Sequence, residues 1–241
     1  MKSILAEELK LKYHPVAILF TDDRPENARQ VKEGSWGCAM ALYLVTMTKG
    51  KTAVFDRSTY GCIGAGVGLC FGDTYKPNCE FMENLLSDEE GYLKTRELVR
   101  DFTENFPFVD IPQKYVVFKP LGHVSEEGEK PALVSFPANA DQLSALAALI
   151  NFRRPGNDHV GAPFCAGCQS VCVMPYNQID KEYPRAILGN MDLSSRRVLP
   201  ADILTFTVPY RTFLEMEEDV EVSFLRKKTW LKIAPRIGAG E

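Results

Sequence analysis

The sequence lacks the features that mark membrane, secreted and nucleic-acid-binding proteins. Its longest apolar runs, such as ALAALI at 145–150, fall far short of the roughly 20 residues that a membrane-spanning helix needs. Positive charge is not in excess, because 28 Lys and Arg residues face 32 Asp and Glu residues. The N-terminal residues include acidic side chains and no continuous apolar stretch, unlike a signal peptide. We therefore expect a cytoplasmic protein with neither a membrane nor a nucleic-acid partner.

The chain also lacks the local motifs of common hydrolases and nucleotide enzymes. It contains no His-Glu-x-x-His and no Gly-x-Ser-x-Gly sequence. The glycine-rich segment 58–73 is not a dinucleotide-binding fingerprint, because Leu69 stands where a third glycine is needed, and no Gly-Lys-Ser/Thr follows. Backbone N–H groups around Gly61, Gly64 and Gly66 can still form an anion-binding nest. The alternative is a tight loop that lets a strand and a helix approach.

Apolar runs separated by glycine, proline and polar turns predict an α/β or α+β fold with a mixed sheet and flanking helices. Strands are predicted at 15–20, 51–56, 114–121, 131–137, 185–190 and 202–210. Helices are predicted at 38–50, 140–152 and 210–220, with two more in 79–106 that break near Gly91. The whole chain, 1–241, is expected to form a single domain. A faint echo between PVAILFTDD and PALVSFPAN suggests two weakly related halves, 1–122 and 123–241.

Cysteine is the residue type that stands out. The chain has seven, and in a reducing cytosol clustered cysteines more often bind metal or catalyse than form disulfides. Cys165, Cys168 and Cys172 lie between Pro163 and Pro175, which are placed to start and end a helix. Their spacing predicts that the three thiols share one helix face. The first helical turn would favour thiolate at Cys165 and Cys168.

The same spacing also describes a stripe of small, buried hydrophobic residues, and free cysteine is often inert in a core. A metal site would need a further thiol, for which Cys62 and Cys38 are candidates. Iron–sulfur clusters commonly take four thiolates, whereas structural zinc sites usually show two Cys-x2-Cys pairs and this chain has one. The glycines beside Cys62 suit close backbone approach to a bulky group, which favours an iron–sulfur cluster over zinc.

Arg196 and Arg197 are the candidates for binding an anion, because guanidinium groups recognise carboxylate and phosphate well. Asp192 is close enough in sequence to orient one of them. A solvated surface pair is the alternative reading, since most arginines in proteins are exposed.

Several stretches resemble one family, called domain of unknown function 169. They are PVAILF, KTAVFDRSTYGCIGAGVGLCFGD, FCAGCQSV and AILGNMDLSSRRVLPADILTFTVPYRTFLEM, in the family's order and spread over most of the chain. The resemblance implies that the chain is one family member, of a type common in anaerobic bacteria and archaea. The family's biochemical activity is unassigned, so the resemblance supplies no function.

The resemblance also singles out residues. Cys38 and Cys62 match family cysteines, and Ala166, Gly167 and Cys168 match an Ala-Gly-Cys element. In a Cys-x-Gly-Gly pattern, Gly64 matches the first glycine, while Ala65 departs from the second and Cys70 replaces a later one. An Asp-x-Ser-x-Arg element is carried by Asp192 and Arg196, whereas Cys165 and Cys172 have no counterpart in the family pattern.

The leading hypothesis is a four-iron iron–sulfur protein that transfers electrons or binds a small anionic ligand. Its metal ligands would come from Cys165, Cys168 and Cys172 together with Cys62 or Cys38. The ligand would lie near Arg196 and the glycines Gly61, Gly64 and Gly66. The partner is then a small molecule or an electron-transfer protein, and the sequence leaves enzyme activity and oligomeric state open.

Two other classes of function compete with this hypothesis. The first is a cluster-free module that binds a small molecule or anion and keeps its cysteines in the core. The second is a thiol enzyme in which Cys168 is a nucleophile of low pKa at a helix N-terminus. A structural zinc protein is the least favoured alternative.

Overall fold

The structure is a computed structural model that describes residues 1–35, 37–71 and 80–237. The strands within these ranges are β1 (Val16–Thr21), β2 (Ala53–Asp56), β3 (Tyr115–Pro120), β4 (Leu133–Ala138), β5 (Val160–Gly161), β6 (Ala186–Gly189) and β7 (Leu204–Pro209). They form one open sheet in the order β2-β3-β1-β4-β7-β6-β5. The β5–β6 pair is parallel and the other pairs are antiparallel. The predicted mixed sheet is confirmed.

Helices flank this sheet. The α-helices are α1 (Ile4–Glu8), α2 (Ala39–Lys49), α3 (Ile63–Gly68), α4 (Glu80–Glu83), α5 (Arg96–Glu104), α6 (Ala140–Ile150), α7 (Met174–Tyr176), α8 (Leu193–Arg196), α9 (Tyr210–Asp219) and α10 (Lys228–Ile233). Two π-helical segments, Asn84–Glu89 and Gln169–Val173, and three short 3-10 turns, Leu121–His123, Phe224–Arg226 and Ala234–Arg236, complete the elements. None of the helices in the described ranges has the length and apolar character to cross a bilayer.

Both faces of the sheet are covered, which explains why its central strands are apolar on both sides. Along β1, Val16 and Ile18 pack into one layer, and Ala17 and Leu19 pack into the other. The first layer contains α2, α3 and the buried cysteines. The second layer contains α1, α6, α9 and α10. The candidate site therefore lies on the α2 side of the sheet.

Helix α2 is anchored to the sheet by a buried hydroxyl chain. The Tyr43 hydroxyl is 2.8 Å from the Ser135 hydroxyl on β4, and the Thr207 hydroxyl on β7 donates to Ser135 over 2.8 Å. The helix ends at Gly50, whose φ of 61° is left-handed, as the sequence predicts for a C-terminal glycine. This anchoring fixes the start of α2, where Cys38 lies.

Residues 80–108 form a helical arm that packs beside α3. The predicted break near Gly91 is confirmed, since Gly91 has a φ of 64° between the π-helical segment and α5. Residue 79, the first of that predicted helical region, lies outside the described residues. Met82 and Val99 of the arm pack on Val67 of α3 in a small core of their own. Two hydrogen bonds of 2.8 Å from Arg100 to Glu83 tie α5 to α4.

The helix predicted between Pro163 and Pro175 differs from the one observed. The chain has no regular secondary structure at residues 162–166, becomes helical at residue 167 and passes through the π-helical segment before α7. Pro175 lies inside α7 rather than after it, where the wider π-turn removes the need for its missing N–H. Cys165 therefore precedes the helix, and the three thiols do not share one helical face.

The strand order can be compared with the expectation of two weakly related halves, 1–122 and 123–241. From the centre outwards it runs β1, β3, β2 on one side and β4, β7, β6 on the other. However, α2 and α6, which follow β1 and β4, pack on opposite faces of the sheet. A relation between the two halves stays a prediction.

Candidate functional site

Three cysteines from distant parts of the chain meet on the α2 side of the sheet. Cys38 is the N-cap residue of α2 and Cys62 is the N-cap residue of α3. Cys168 is the second helical residue of its segment. The sulfurs of Cys168 and Cys38 both lie within interaction range of the Cys62 sulfur, where hydrogen bonding between the thiols lowers the pKa of Cys62. We call Cys38, Cys62 and Cys168 the cysteine triad.

The triad favours negative charge on its central member. The Cys168 and Cys38 thiols, together with the backbone N–H groups of Ala65 and Ala39, hold the pKa of Cys62 well below that of an ordinary thiol. The pKa values of Cys38 and Cys168 are raised, because each donates to Cys62 and is desolvated. The structure therefore differs from the expectation that Cys168 carries the low-pKa thiolate. The sequence-based prediction rested on the position of Cys168 at a helix start. It did not include burial and the interaction with Cys62, both of which raise the pKa of Cys168.

The glycines around Cys62 bring the triad together. A Cβ on Gly64 would lie 2.9 Å from Cβ of Ala166 and 3.3 Å from Sγ of Cys168, so only glycine allows this approach. Gly61 has a φ of 80°, and its carbonyl accepts a 3.2 Å hydrogen bond from the N–H of Gly37, next to Cys38. These contacts explain why the segment is rich in glycine.

Residues 63–68 of this segment are helical rather than loop, and an anion-binding nest that includes Gly61 and Gly64 stays a prediction. Residues 63–68 form α3, and the N–H of Gly66 donates to the Cys62 carbonyl within that helix. The remainder of the glycine-rich segment, residues 72 and 73, lies outside the described residues. The part that the structure describes brings the triad into contact and leaves the Gly66 amide occupied.

A cavity of about 340 Å³ opens beside the triad, between the helical arm and the sheet layer. All three triad cysteines line it, as does Cys165. One wall is aromatic: ring centroids lie 5.7 Å apart for Phe102 and Phe106, 4.9 Å for Phe106 and Phe108, and 6.2 Å for Phe102 and Phe164. A volume of this size is typical of small-molecule sites, which span roughly 300 to 1,000 Å³.

A second part of the lining is polar and comes from the start of α8. The Asp192 carboxylate caps that helix, accepting hydrogen bonds from the Ser194 N–H (3.0 Å), the Ser194 hydroxyl (2.7 Å) and the Tyr92 hydroxyl (3.2 Å). Arg197 also lines this wall. Burial, with a smaller contribution from Asp192, raises the pKa of Cys165 to about 12, so Cys165 is held as a neutral thiol. The sequence-based expectation was instead that Cys165, in the first turn of a helix, would favour the thiolate form.

The other predicted site residues lie elsewhere. Arg196 donates to the backbone carbonyls of Ile203, Pro200 and Ala201, so its guanidinium holds the loop before β7. Cys172 is fully buried in the core rather than lining the cavity. Of the five cysteines expected to hold metal, the structure brings Cys38, Cys62 and Cys168 into one group.

The donor set of this group is all sulfur, which suits iron–sulfur clusters. Within residues 1–35, 37–71 and 80–237, no group of three or more His, Cys, Asp or Glu side chains is arranged to hold a single metal ion. The triad places three sulfur atoms beside a cavity.

Sequence reasoning missed two parts of the site. The helical arm supplies Tyr92, Phe102, Phe106 and Phe108, and nothing local in the sequence says that it covers the cysteines. The density of aromatic residues in FTENFPF was the available signal. Arg197, rather than its neighbour Arg196, lines the cavity. The two adjacent arginines could not be told apart without the path of the chain.

Comparison with known proteins gives a family and nothing more specific. No curated protein and no solved structure gave a significant match to this chain. A family model described as uncharacterised ArCR matches residues 4–219. The chain therefore belongs to the domain of unknown function 169 family, as its motifs suggested.

Proposed function

We propose that the protein holds an iron–sulfur cluster, of the four-iron type, on Cys38, Cys62 and Cys168, and that the adjacent cavity receives a small anionic ligand. The observation that carries the proposal is the convergence of the triad from three segments at the edge of the cavity. The sequence-based ligand set is thereby changed, since Cys62 and Cys38 both join Cys168, while Cys165 and Cys172 drop out.

Three features of the triad support a cluster. Backbone N–H groups of Ala65 and Ala39, at the starts of α3 and α2, favour the thiolate form of Cys62, and thiolate is the form that binds metal. Hydrogen bonds to cluster sulfurs are a known means of setting reduction potential. The cavity beside the thiols provides room for a group larger than a single ion.

A cluster held by three thiolates leaves one iron without a protein ligand, and that iron can bind a ligand or exchange electrons. The residues of this chain would hold the cluster, exclude water through the aromatic wall and orient the ligand through the polar wall. A cytoplasmic location, as expected from the sequence, would keep the thiols reduced.

Cysteine variants test the proposal directly. Protein purified without oxygen should lose its visible absorption and most of its iron when Cys38, Cys62 or Cys168 is replaced by Ala. Cys70→Ser, at an exposed cysteine away from the triad, should retain both. Cys172→Ala is the control for a buried thiol outside the cavity. Equal iron content in all five variants would contradict the assignment of the triad as ligands.

A second candidate function is favoured by one observation. The Cys62 sulfur receives hydrogen bonds from two thiols and two backbone N–H groups beside a cavity, the environment of a nucleophilic thiolate. In that case Cys62, not Cys168, would form the bond to an electrophilic substrate.

The pH dependence of alkylation tests this second candidate. In iron-free protein, iodoacetamide should modify Cys62 at nearly the same rate at pH 6 and pH 8, because its low pKa keeps it ionised across that range. Cys70 is an internal control: burial and then Asp110 raise its pKa, so its rate should climb steeply with pH. Mass spectrometry of the peptides measures both rates. A climb at Cys62 parallel to that at Cys70 would contradict the thiolate assignment.

A further inference from the structure

We propose that the cavity binds a small monocarboxylic acid with an aryl or branched alkyl body, and that Arg197 holds its carboxylate. The inference deepens the proposed function, on which it rests for the role of the cavity. It names the chemical class of the ligand and the residue that anchors it.

The apolar body is indicated by the aromatic wall. Phe102, Phe106, Phe108 and Phe164 form a continuous series of ring contacts, and Tyr92 extends it, with its ring centroid 5.4 Å from that of Phe164. Met40, Met82 and Val198 add further apolar surface. Methionine and aromatic side chains accommodate flat or branched groups, and their burial by a ligand is favourable. A ligand without an apolar face would leave this wall without a partner.

Arg197 is the group that can hold an anion. Its guanidinium makes no hydrogen bond or ion pair with any residue in the described parts of the chain, and its side chain is exposed at the cavity. Its neighbours are already engaged, since Arg196 binds three backbone carbonyls and Asp192 caps α8. A planar guanidinium pairs with a carboxylate through two parallel hydrogen bonds.

The charges of the residues that line the cavity disfavour a ligand with more than one negative charge. Among the described lining residues, Glu90 and Asp192 are acidic and Arg197 is basic. A nucleotide or another polyanion would meet one cation and at least two negative groups. A monocarboxylate needs only the one guanidinium.

The test measures binding of 3-phenylpropionate to the full chain, purified without oxygen, by isothermal titration calorimetry. The wild-type protein should bind 3-phenylpropionate at least about tenfold more tightly than the uncharged 3-phenylpropanol. Arg197→Gln should weaken acid binding by about tenfold or more and leave binding of the alcohol within about twofold, because only the acid uses the guanidinium. Arg24→Gln, an exposed arginine outside the cavity, is the matched control and should change neither.

Equal affinity for acid and alcohol, no binding of either probe, or an acid affinity unchanged by Arg197→Gln would each overturn the inference. Iron and sulfide content is measured on the same samples. Protein that holds a cluster but does not bind 3-phenylpropionate would contradict this inference and leave the proposed cluster standing. Iron-free protein that binds the acid through Arg197 would contradict the proposed cluster and leave this inference standing.

Discussion

At the scale of single residues, Gly64 controls how closely α3 approaches the segment that carries Cys168. Its missing side chain leaves the space that Ala166 and the Cys168 sulfur nearly fill. The sequence drew attention to this glycine for a different reason, a loop that binds an anion. A local pattern identifies a glycine that matters, but it does not show which distant residue lies opposite.

Gly64→Ala should therefore destabilise the fold. The added methyl group would force α3 away from the Cys168 segment, at a cost of about 1–3 kcal/mol, typical of overpacking. Gly122→Ala is the control, because no atom lies within 4 Å of the new Cβ there and it should stay within about 0.5 kcal/mol of wild type. Urea unfolding measures both. Equal stability of the two variants would contradict the close approach.

At the scale of elements, the four longest α-helices (α2, α5, α6 and α9) and six of the seven strands in the described residues could be predicted because their signals are local. Gly50 marks the end of α2, and the Asn139–Gln142 capping box marks the start of α6. The cysteine segment was predicted less well, because a π-helical turn follows from tertiary packing rather than from spacing. Its start at residue 167 moved Cys165 off the helix and changed which thiols share a face.

The attachment of α2 to the sheet is a testable property of this element. Tyr43→Phe removes one end of the buried hydroxyl chain, but Ser135 keeps Thr207 as a partner. We expect a loss of about 1 kcal/mol in the free energy of unfolding. Tyr183→Phe, at an exposed tyrosine, should be neutral within about 0.5 kcal/mol. Chemical denaturation compares the two, and a neutral Tyr43→Phe would show that the hydroxyl chain does not anchor α2.

At the scale of the whole molecule, the site depends on contacts that no local pattern reports. Cys38, Cys62 and Cys168 are far apart in sequence, and only the sheet order and the packing of three helix starts bring them together. The aromatic wall belongs to the helical arm. The sequence predicts the helices of this arm but not how they pack over the cysteines. Composition and motifs could therefore identify the family, the mixed sheet and the candidate cysteines. The grouping of those cysteines required the fold.

The most direct measurement of the central claim is the iron and acid-labile sulfide content of the wild-type protein purified without oxygen. We expect about four iron and four sulfide per chain, with a broad absorption band near the blue edge of the visible spectrum. The band should disappear when the cluster is removed with a chelator. A colourless protein without iron or sulfide after anaerobic purification would contradict the cluster and leave the triad as a thiolate site.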